Sequence, residues 1–242
     1  MSHFTVGIFT KSGEEWEIER ALEPYQENNM DNCPKKYLKF YNLEVEGREE
    51  FEDESNTFKD EYGSFETFME EYYGAIKDYE TEKYGYWENP NSKWDWYVIG
   101  GRWKNSIKTI DGDNVDSCLV ENIIITDDEK YKNKIRFWEL IVEDDEPKNK
   151  EEEDVKKYNF YSPKYYTELY DSKEDFAERE SKFFTYAFIT ENNTWNEPGE
   201  MGWFGMSDLT KDSKKDYEKL FAKYLEYAKD KGLYITVVDC HI

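Results

Sequence analysis

Residues 94–103 read Trp-Asp-Trp-Tyr-Val-Ile-Gly-Gly-Arg-Trp, and this stretch constrains the fold more than any other. Trp94, Trp96 and Val98 alternate with Asp95, Tyr97 and Ile99, the period-two pattern of a strand with two different faces. Gly100-Gly101 ends it, since paired glycines admit positive φ or a close approach by another group. Arg102 then leaves a turn between large rings, where its planar fork suits a carboxylate or phosphate and its faces suit stacking. Two readings stay open. One is an aromatic, Arg-lined pocket for a nucleotide or a partner's acidic group, built from Trp94, Asp95, Trp96, Gly100, Gly101, Arg102 and Trp103, with Trp203 from the glycine-rich stretch at 198–206. The other is a core strand with a bulge, in which Arg102 pairs with Asp95. No GxxxxGK[ST] or GxGxxG pattern surrounds the glycines, so they are not a phosphate loop.

Only 38% of the 242 residues are hydrophobic, but 18% are aromatic. Twenty-one Tyr, 15 Phe and 8 Trp can build a core by themselves, because each ring removes a large apolar area from water. The net charge of −24 repels nucleic-acid phosphates and argues against direct nucleic-acid binding; the same field attracts basic surfaces. Cys33, Cys118 and Cys240 are far apart, without CxxC spacing, which points to a reducing compartment rather than a disulfide scaffold or zinc finger. There is no signal peptide and no apolar run of membrane-spanning length, so the expected location is cytosolic, with no membrane partner.

Along the chain, residues 4–10 predict a buried first strand, 14–22 a short helix ending before Pro24, and 25–34 a polar loop. A helical run at 47–62 is interrupted near Ser55-Asn56. Residues 64–79 predict a second helix, capped by Ser64, with Phe65, Phe68, Met69, Tyr72, Tyr73 and Ile76 on one face and Gly74 as a mild weakness. Asp111-Gly112-Asp113-Asn114 reads as the turn of a hairpin-like excursion, without the ligand spacing of a calcium loop. Residues 134–142 fit helix or strand, and 182–190 predict a strand. Residues 213–230 predict an amphipathic helix stopped by Gly232, followed by a last strand at 233–238. The sum is one α+β domain over 1–242: a mixed or antiparallel sheet of several strands with helices packed on it, the first and last strands possible neighbours. The segment 143–157 is an acidic insertion or loop. Its Glu143, Asp144, Asp145, Glu146, Glu151, Glu152, Glu153 and Asp154 are the candidate contacts to a basic partner.

Both histidines sit near chain ends. If the terminal strands are neighbours, His3, Asp239, Cys240 and His241 could converge with Arg102, as catalytic candidates for acid–base phosphodiester or acyl chemistry. Adjacent positions on a strand alternate faces, which argues against a metal site, and none is expected. No HExxH, GxSxG, kinase or Walker signature calls for an enzyme, and no cofactor is implied.

Four pieces in order carry a resemblance. They are Met1-Ser2-His3-Phe4-Thr5-Val6; Leu22-Glu23-Pro24-Tyr25-Gln26-Glu27; residues 89–103 with the pattern NPNxKWDWYxIGGRW; and Gly199-Glu200-Met201-Gly202-Trp203-Phe204-Gly205 followed by Val237-Val238-Asp239-Cys240-His241-Ile242. Together they resemble a family of tailed-phage proteins, from whose pattern the acidic insertion and the heavy aromatic load depart. The resemblance implies a phage accessory protein acting in the host cytoplasm, in host takeover or counter-defence. The expectation from charge is an acidic inhibitor of a host defence (anti-CRISPR-like or other) or metabolic protein with a basic or nucleic-acid-binding surface. The alternative is a sponge or phosphodiesterase for a small nucleotide signal, and a structural role in the virion stays open.

Overall fold

The computed structural model describes residues 2–201 and 207–242. Contacts divide the chain into two compact units, Met1–Leu22 with Trp96–Ile242, and Glu23–Asp95. The first unit opens with β1 (His3–Thr10), buried on both faces in its second half, and α1 (Glu15–Leu22), which buries Ile18, Ala21 and Leu22. Glu15 and Glu17 lie in the first turn of α1, where the helix dipole favours acids.

The second unit contains β2 (Lys39–Asn42), α2 (Glu44–Glu52), α3 (Phe58–Tyr62), α4 (Phe65–Glu71), β3 (Ile76–Lys77) and β4 (Tyr84–Glu88). β4 lies between β2 and β3, antiparallel to both. The core of this unit is aromatic, with Phe51, Phe65, Phe68, Met69 and Tyr84 buried together. The interruption expected near Ser55-Asn56 separates α2 from α3, and the Asn56 side chain accepts the Phe58 N–H at 3.1 Å. Ser64 caps α4 by accepting the Thr67 N–H at 3.1 Å. The helix predicted over 64–79 ends early, at Glu71. Gly74 takes φ 63°, a left-handed turn that no helix interior accommodates, and Ile76 begins β3. The aromatic period outlasts the helix because Tyr73 still packs on Phe68 from beyond its end.

The first unit resumes with β5 (Trp96–Ile99), the one-turn helix Gly101–Trp103, the hairpin β6 (Ile107–Lys108) and β7 (Asn114–Val115), and β8 (Ser117–Leu119). The hairpin turn has Gly112 at φ 92°. Then follow α5 (Asp128–Ile141), α6 (Lys150–Tyr158), α7 (Pro163–Leu169), α8 (Lys173–Ser181), β9 (Ala187–Ile189), β10 (Trp195–Asn196), α9 (Lys211–Asp230) and β11 (Tyr234–His241). The main sheet has the order β10-β9-β1-β11-β5, with β8 on the same edge of β11 as β5. β1 runs parallel to β9 and antiparallel to β11, so the sheet is mixed and the protein is α+β. First and last strands are adjacent over their full length, from His3 opposite His241 to Thr10 opposite Tyr234.

α9 covers one end of one sheet face. Its Tyr217, Phe221, Leu225 and Ala228 pack with Phe9, Phe188, Ile235 and Val237. Each such side chain contributes roughly 1.5–3 kcal/mol by leaving water. A second cluster joins α5, α7 and α8 through Trp138, Leu140, Tyr166, Leu169 and Phe176.

One segment left open by the pattern is resolved, and two differ from their sequence-level expectation. Residues 134–141, which fit helix or strand, belong to helix α5, which Asp127 caps by accepting the Glu129 and Lys130 N–H groups. The acidic segment 143–157 is a loop only in its first half. From Lys150 it is helix α6, because Asn149 caps it, Glu151, Glu152 and Glu153 fill its first turn, and Lys156 and Lys157 its last. In the strand predicted over 182–190 only Ala187–Ile189 joins the sheet; Phe183 and Phe184 pack against the core instead. No helix among the described residues is long and apolar enough to cross a membrane.

Candidate functional site

Register places the site. His3 lies opposite His241, which lies opposite Trp96; Thr5 lies opposite Asp239, which lies opposite Val98. Directly paired residues share a face, so β1, β11 and β5 bring His3, Asp239, His241 and Trp96 together on the face whose other end α9 covers. His3 Nδ1 is 2.8 Å from Asp239 Oδ1. A carboxylate only accepts, so Nδ1 donates, and the lone pair of the imidazole lies on Nε2. The other Asp239 oxygen accepts the Arg102 N–H at 3.0 Å. Asp239 is thus buried with both oxygens satisfied, which is what makes an interior carboxylate tolerable.

The rings form a compact group. His3 and His241 meet edge to face with centroids 4.9 Å apart, and the His241 ring stacks on Trp96 at 4.9 Å and 17°. His3 also meets the Trp96 edge at 5.2 Å. Trp96 is 43% exposed, so the group opens to solvent on that side.

The two glycines have separate jobs. Gly100 is at φ 70° and Gly101 at φ 51°. A Cβ at Gly100 would collide with the Asp116 carboxylate, and one at Gly101 with the Asp239 side chain. Gly100 N–H also donates to Val237 O at 2.8 Å, which carries the chain off β5 while keeping it on the edge of β11. The strained turn is what delivers the Arg102 N–H to Asp239. Asp116 also accepts the Asn105 N–H, holding the same turn from the other side.

The other sequence candidates separate from this group. Cys240 is fully buried on the opposite face of β11, opposite Tyr97, so it cannot act with His3 and His241 as a nucleophile. On that face burial pushes the Tyr97 phenol up, and Glu19 and Glu15 of α1 add to the shift. Trp103 packs against the core beside α9 rather than lining the histidine group. The Arg102 side chain is exposed beside its own backbone contact to Asp239. Trp94 and Asp95 belong to the other unit, where Trp94 O accepts the Glu27 N–H at 2.7 Å. Trp203 lies outside the described residues. No group of three or more His, Cys, Asp and Glu among the described residues could hold a metal ion.

The acidic segment is largely committed internally. Arg136 pairs with Glu152 at 2.8 Å, with Glu139 at 3.3 Å and with Asp145, and donates to the Glu146 carbonyl at 2.9 Å. The Arg136 hydrogen bonds hold the Glu152 carboxyl at about 2. Asp144 pairs with Lys156 at 2.6 Å and Glu143 with Lys173 at 3.1 Å. Glu151, Glu153 and Asp154 face solvent.

The geometry therefore defines an α+β protein with a His–Asp pair and a second histidine on one end of a mixed sheet. No family model, curated protein or solved structure matches the chain.

Proposed function

We propose that this protein acts on a small nucleotide, as a phosphodiesterase whose acid–base groups are His3 and His241. The observation that carries the reading is the His3–Asp239 hydrogen bond of 2.8 Å beside the His241 ring. In this reading Asp239 orients His3, whose Nε2 takes a proton from the attacking water. Water oxygen bonds to phosphorus, the P–O bond to the leaving alcohol breaks, and protonated His241 delivers a proton to that oxygen. The products are a phosphate monoester and an alcohol. The exposed Trp96 offers a face for a base, and Arg102 offers a cation for the phosphate. The resemblance to tailed-phage proteins supplies the setting, the host cytoplasm, where degrading a nucleotide signal would serve counter-defence.

A second reading, an acidic inhibitor of a host protein, is favoured by one observation. Tyr158 and Phe160 are 71% and 85% exposed at the end of acidic α6, a pair of aromatic anchors beside Glu151, Glu153 and Asp154. One experiment separates the two. Purified protein is incubated with a panel of linear and cyclic oligonucleotides of two or three residues, and products are followed by phosphorus NMR. Hydrolysis that falls by roughly 10²–10⁴ in His3→Asn and Asp239→Asn, but not in Tyr158→Ser/Phe160→Ser, supports the phosphodiesterase. Absence of turnover on every member, with a host protein captured by the wild type and lost in the Tyr158/Phe160 variant, overturns it in favour of the inhibitor.

A further inference from the structure

The turn 100–105 that follows β5 carries three left-handed backbone conformations: Gly100 at φ 70°, Gly101 at φ 51° and Asn105 at φ 59°. Asparagine tolerates this region better than most residues, but any side chain keeps it only where the surroundings fix the backbone. They do so here along the whole turn. Trp103 N–H donates to Gly100 O at 2.9 Å and Lys104 N–H to Gly101 O at 3.3 Å. The Arg102 N–H is bound to Asp239 and the Asn105 N–H to Asp116. The Trp103 ring packs against the core. The turn is therefore held from both sides, directly beside the His3–Asp239 pair.

The residues that flank Trp103 are what this turn presents. Arg102 and Lys104 are both exposed, and among the described residues neither side chain has an ion pair, a hydrogen bond or a ring partner. On a chain with 56 acidic and 32 basic residues a cation is ordinarily claimed by a carboxylate, as Arg48, Lys108, Arg136 and Arg179 are. The two carboxylates that touch this turn are engaged by its backbone, Asp116 by Asn105 and Asp239 by Arg102, and Asp239 holds His3 as well. Chain geometry puts the Cα atoms of residues 102 and 104 no more than about 7 Å apart. One nucleotide of an extended strand covers a step of that order. Two fixed cations at this spacing beside an acid–base pair suit a ligand with two phosphates, one of which reacts.

We infer that Lys104 is a specificity-determining residue of the histidine site. It takes a second phosphate, one nucleotide away from the phosphodiester at His3 and His241, while Arg102 serves the reacting one. The inference rests on the phosphodiesterase reading and narrows it. The substrate is a dinucleotide or longer strand, linear or cyclic, with at least two phosphates. A cyclic mononucleotide, or a dinucleoside with a single phosphate, lacks the group that Lys104 holds. Lysine suits this role as a compact charge on a flexible stem, which adapts to a phosphate that takes no part in the chemistry. Such a contact is made alike in the ground and transition states, so it acts on KM and leaves kcat.

The test compares adenylyl(3′–5′)adenosine with the same dinucleotide carrying a 5′- or a 3′-phosphate, using the full chain. In the wild type one of the two-phosphate forms should have a KM about five- to tenfold below that of the parent. Lys104→Ala should bring this ratio close to one, with kcat for the phosphorylated form changed by less than about twofold. It should also reduce the slope of log KM on log salt by about 0.7, the value of one contact to a single strand. Lys104→Arg should restore most of the preference. Lys223→Ala, which removes the same charge from an exposed position of α9, should keep it. No preference in the wild type, or a preference that survives in Lys104→Ala, overturns the inference while turnover leaves the phosphodiesterase standing. If none of the dinucleotides is hydrolysed, the phosphodiesterase reading falls, and calorimetric dissociation constants give the same ratio. A preference lost in Lys104→Ala then keeps the two-phosphate site, and equal or absent binding removes it.

Discussion

Gly101 shows how much of the site hangs on one residue. Its φ of 51° and its closeness to Asp239 leave room for hydrogen alone. An added methyl would push against the carboxylate that orients His3 and would strain the turn that presents the Arg102 N–H. Gly101→Ala should therefore destabilise the protein by roughly 1–3 kcal/mol. Gly112→Ala, also at positive φ but with open space around it, meets the backbone strain alone, about 1–2 kcal/mol, and should cost less than Gly101→Ala. Urea unfolding of both variants checks this. Equal losses would mean that the Asp239 contact adds nothing to the backbone effect.

Among the elements, α9 is the one whose local rules are most complete. Thr210 accepts the Ser213 N–H at 3.1 Å while the Ser213 hydroxyl accepts the Thr210 N–H at 2.9 Å, so two orphan donors are satisfied reciprocally. Its apolar stripe then lies on Phe9 and Phe188. Thr210→Ala removes one half of this exchange and should cost about 1 kcal/mol, read as a lower thermal midpoint with the native spectrum retained. A loss near zero would show that water replaces the cap. α6 obeys the same rules with almost no apolar help: none of its side chains is buried, and its charges follow the helix dipole. That is why a stretch with the composition of a loop is half helix.

Across the whole molecule, one contribution to acid sensitivity comes from Glu180, a largely buried carboxyl. Burial opposes the charge on Glu180, yet the Lys214 and Lys134 ammonium groups, with hydrogen bonds from Lys214 and Tyr170, bring it from the usual 4.5 down to about 2. Lys214 stands 2.8 Å away. A carboxyl held low in the folded state stabilises the fold above its unfolded value, and that contribution is lost as pH falls from about 4.5 towards about 2. The shift corresponds to a stabilisation on the order of 3 kcal/mol. Glu180→Gln should lower stability at neutral pH and flatten its fall across that acid window, measured by urea unfolding at a series of pH values. An identical pH profile in both proteins would remove Glu180 as the cause.

Local periodicity and punctuation were legible in the sequence. The α9 stripe, the Ser64 cap, the break between α2 and α3 and the turn at Gly112 are written within a few residues of where they act. So was the chemistry available at the chain ends, since both histidines, Asp239 and the Gly-Gly turn stand out by type. What the sequence could not decide was which of these meet. His3 and Asp239 are 236 positions apart, and Arg102 and Asp239 are 137 apart. Their contact depends on the register of β1 on β11 and of β5 on β11, and register is set by the total apolar burial on both sheet faces. The same register sends Cys240 to the opposite face from its neighbours Asp239 and His241. The release of Phe183 and Phe184 from the sheet is likewise a tertiary decision. There packing overrode a local pattern that, by itself, would have continued.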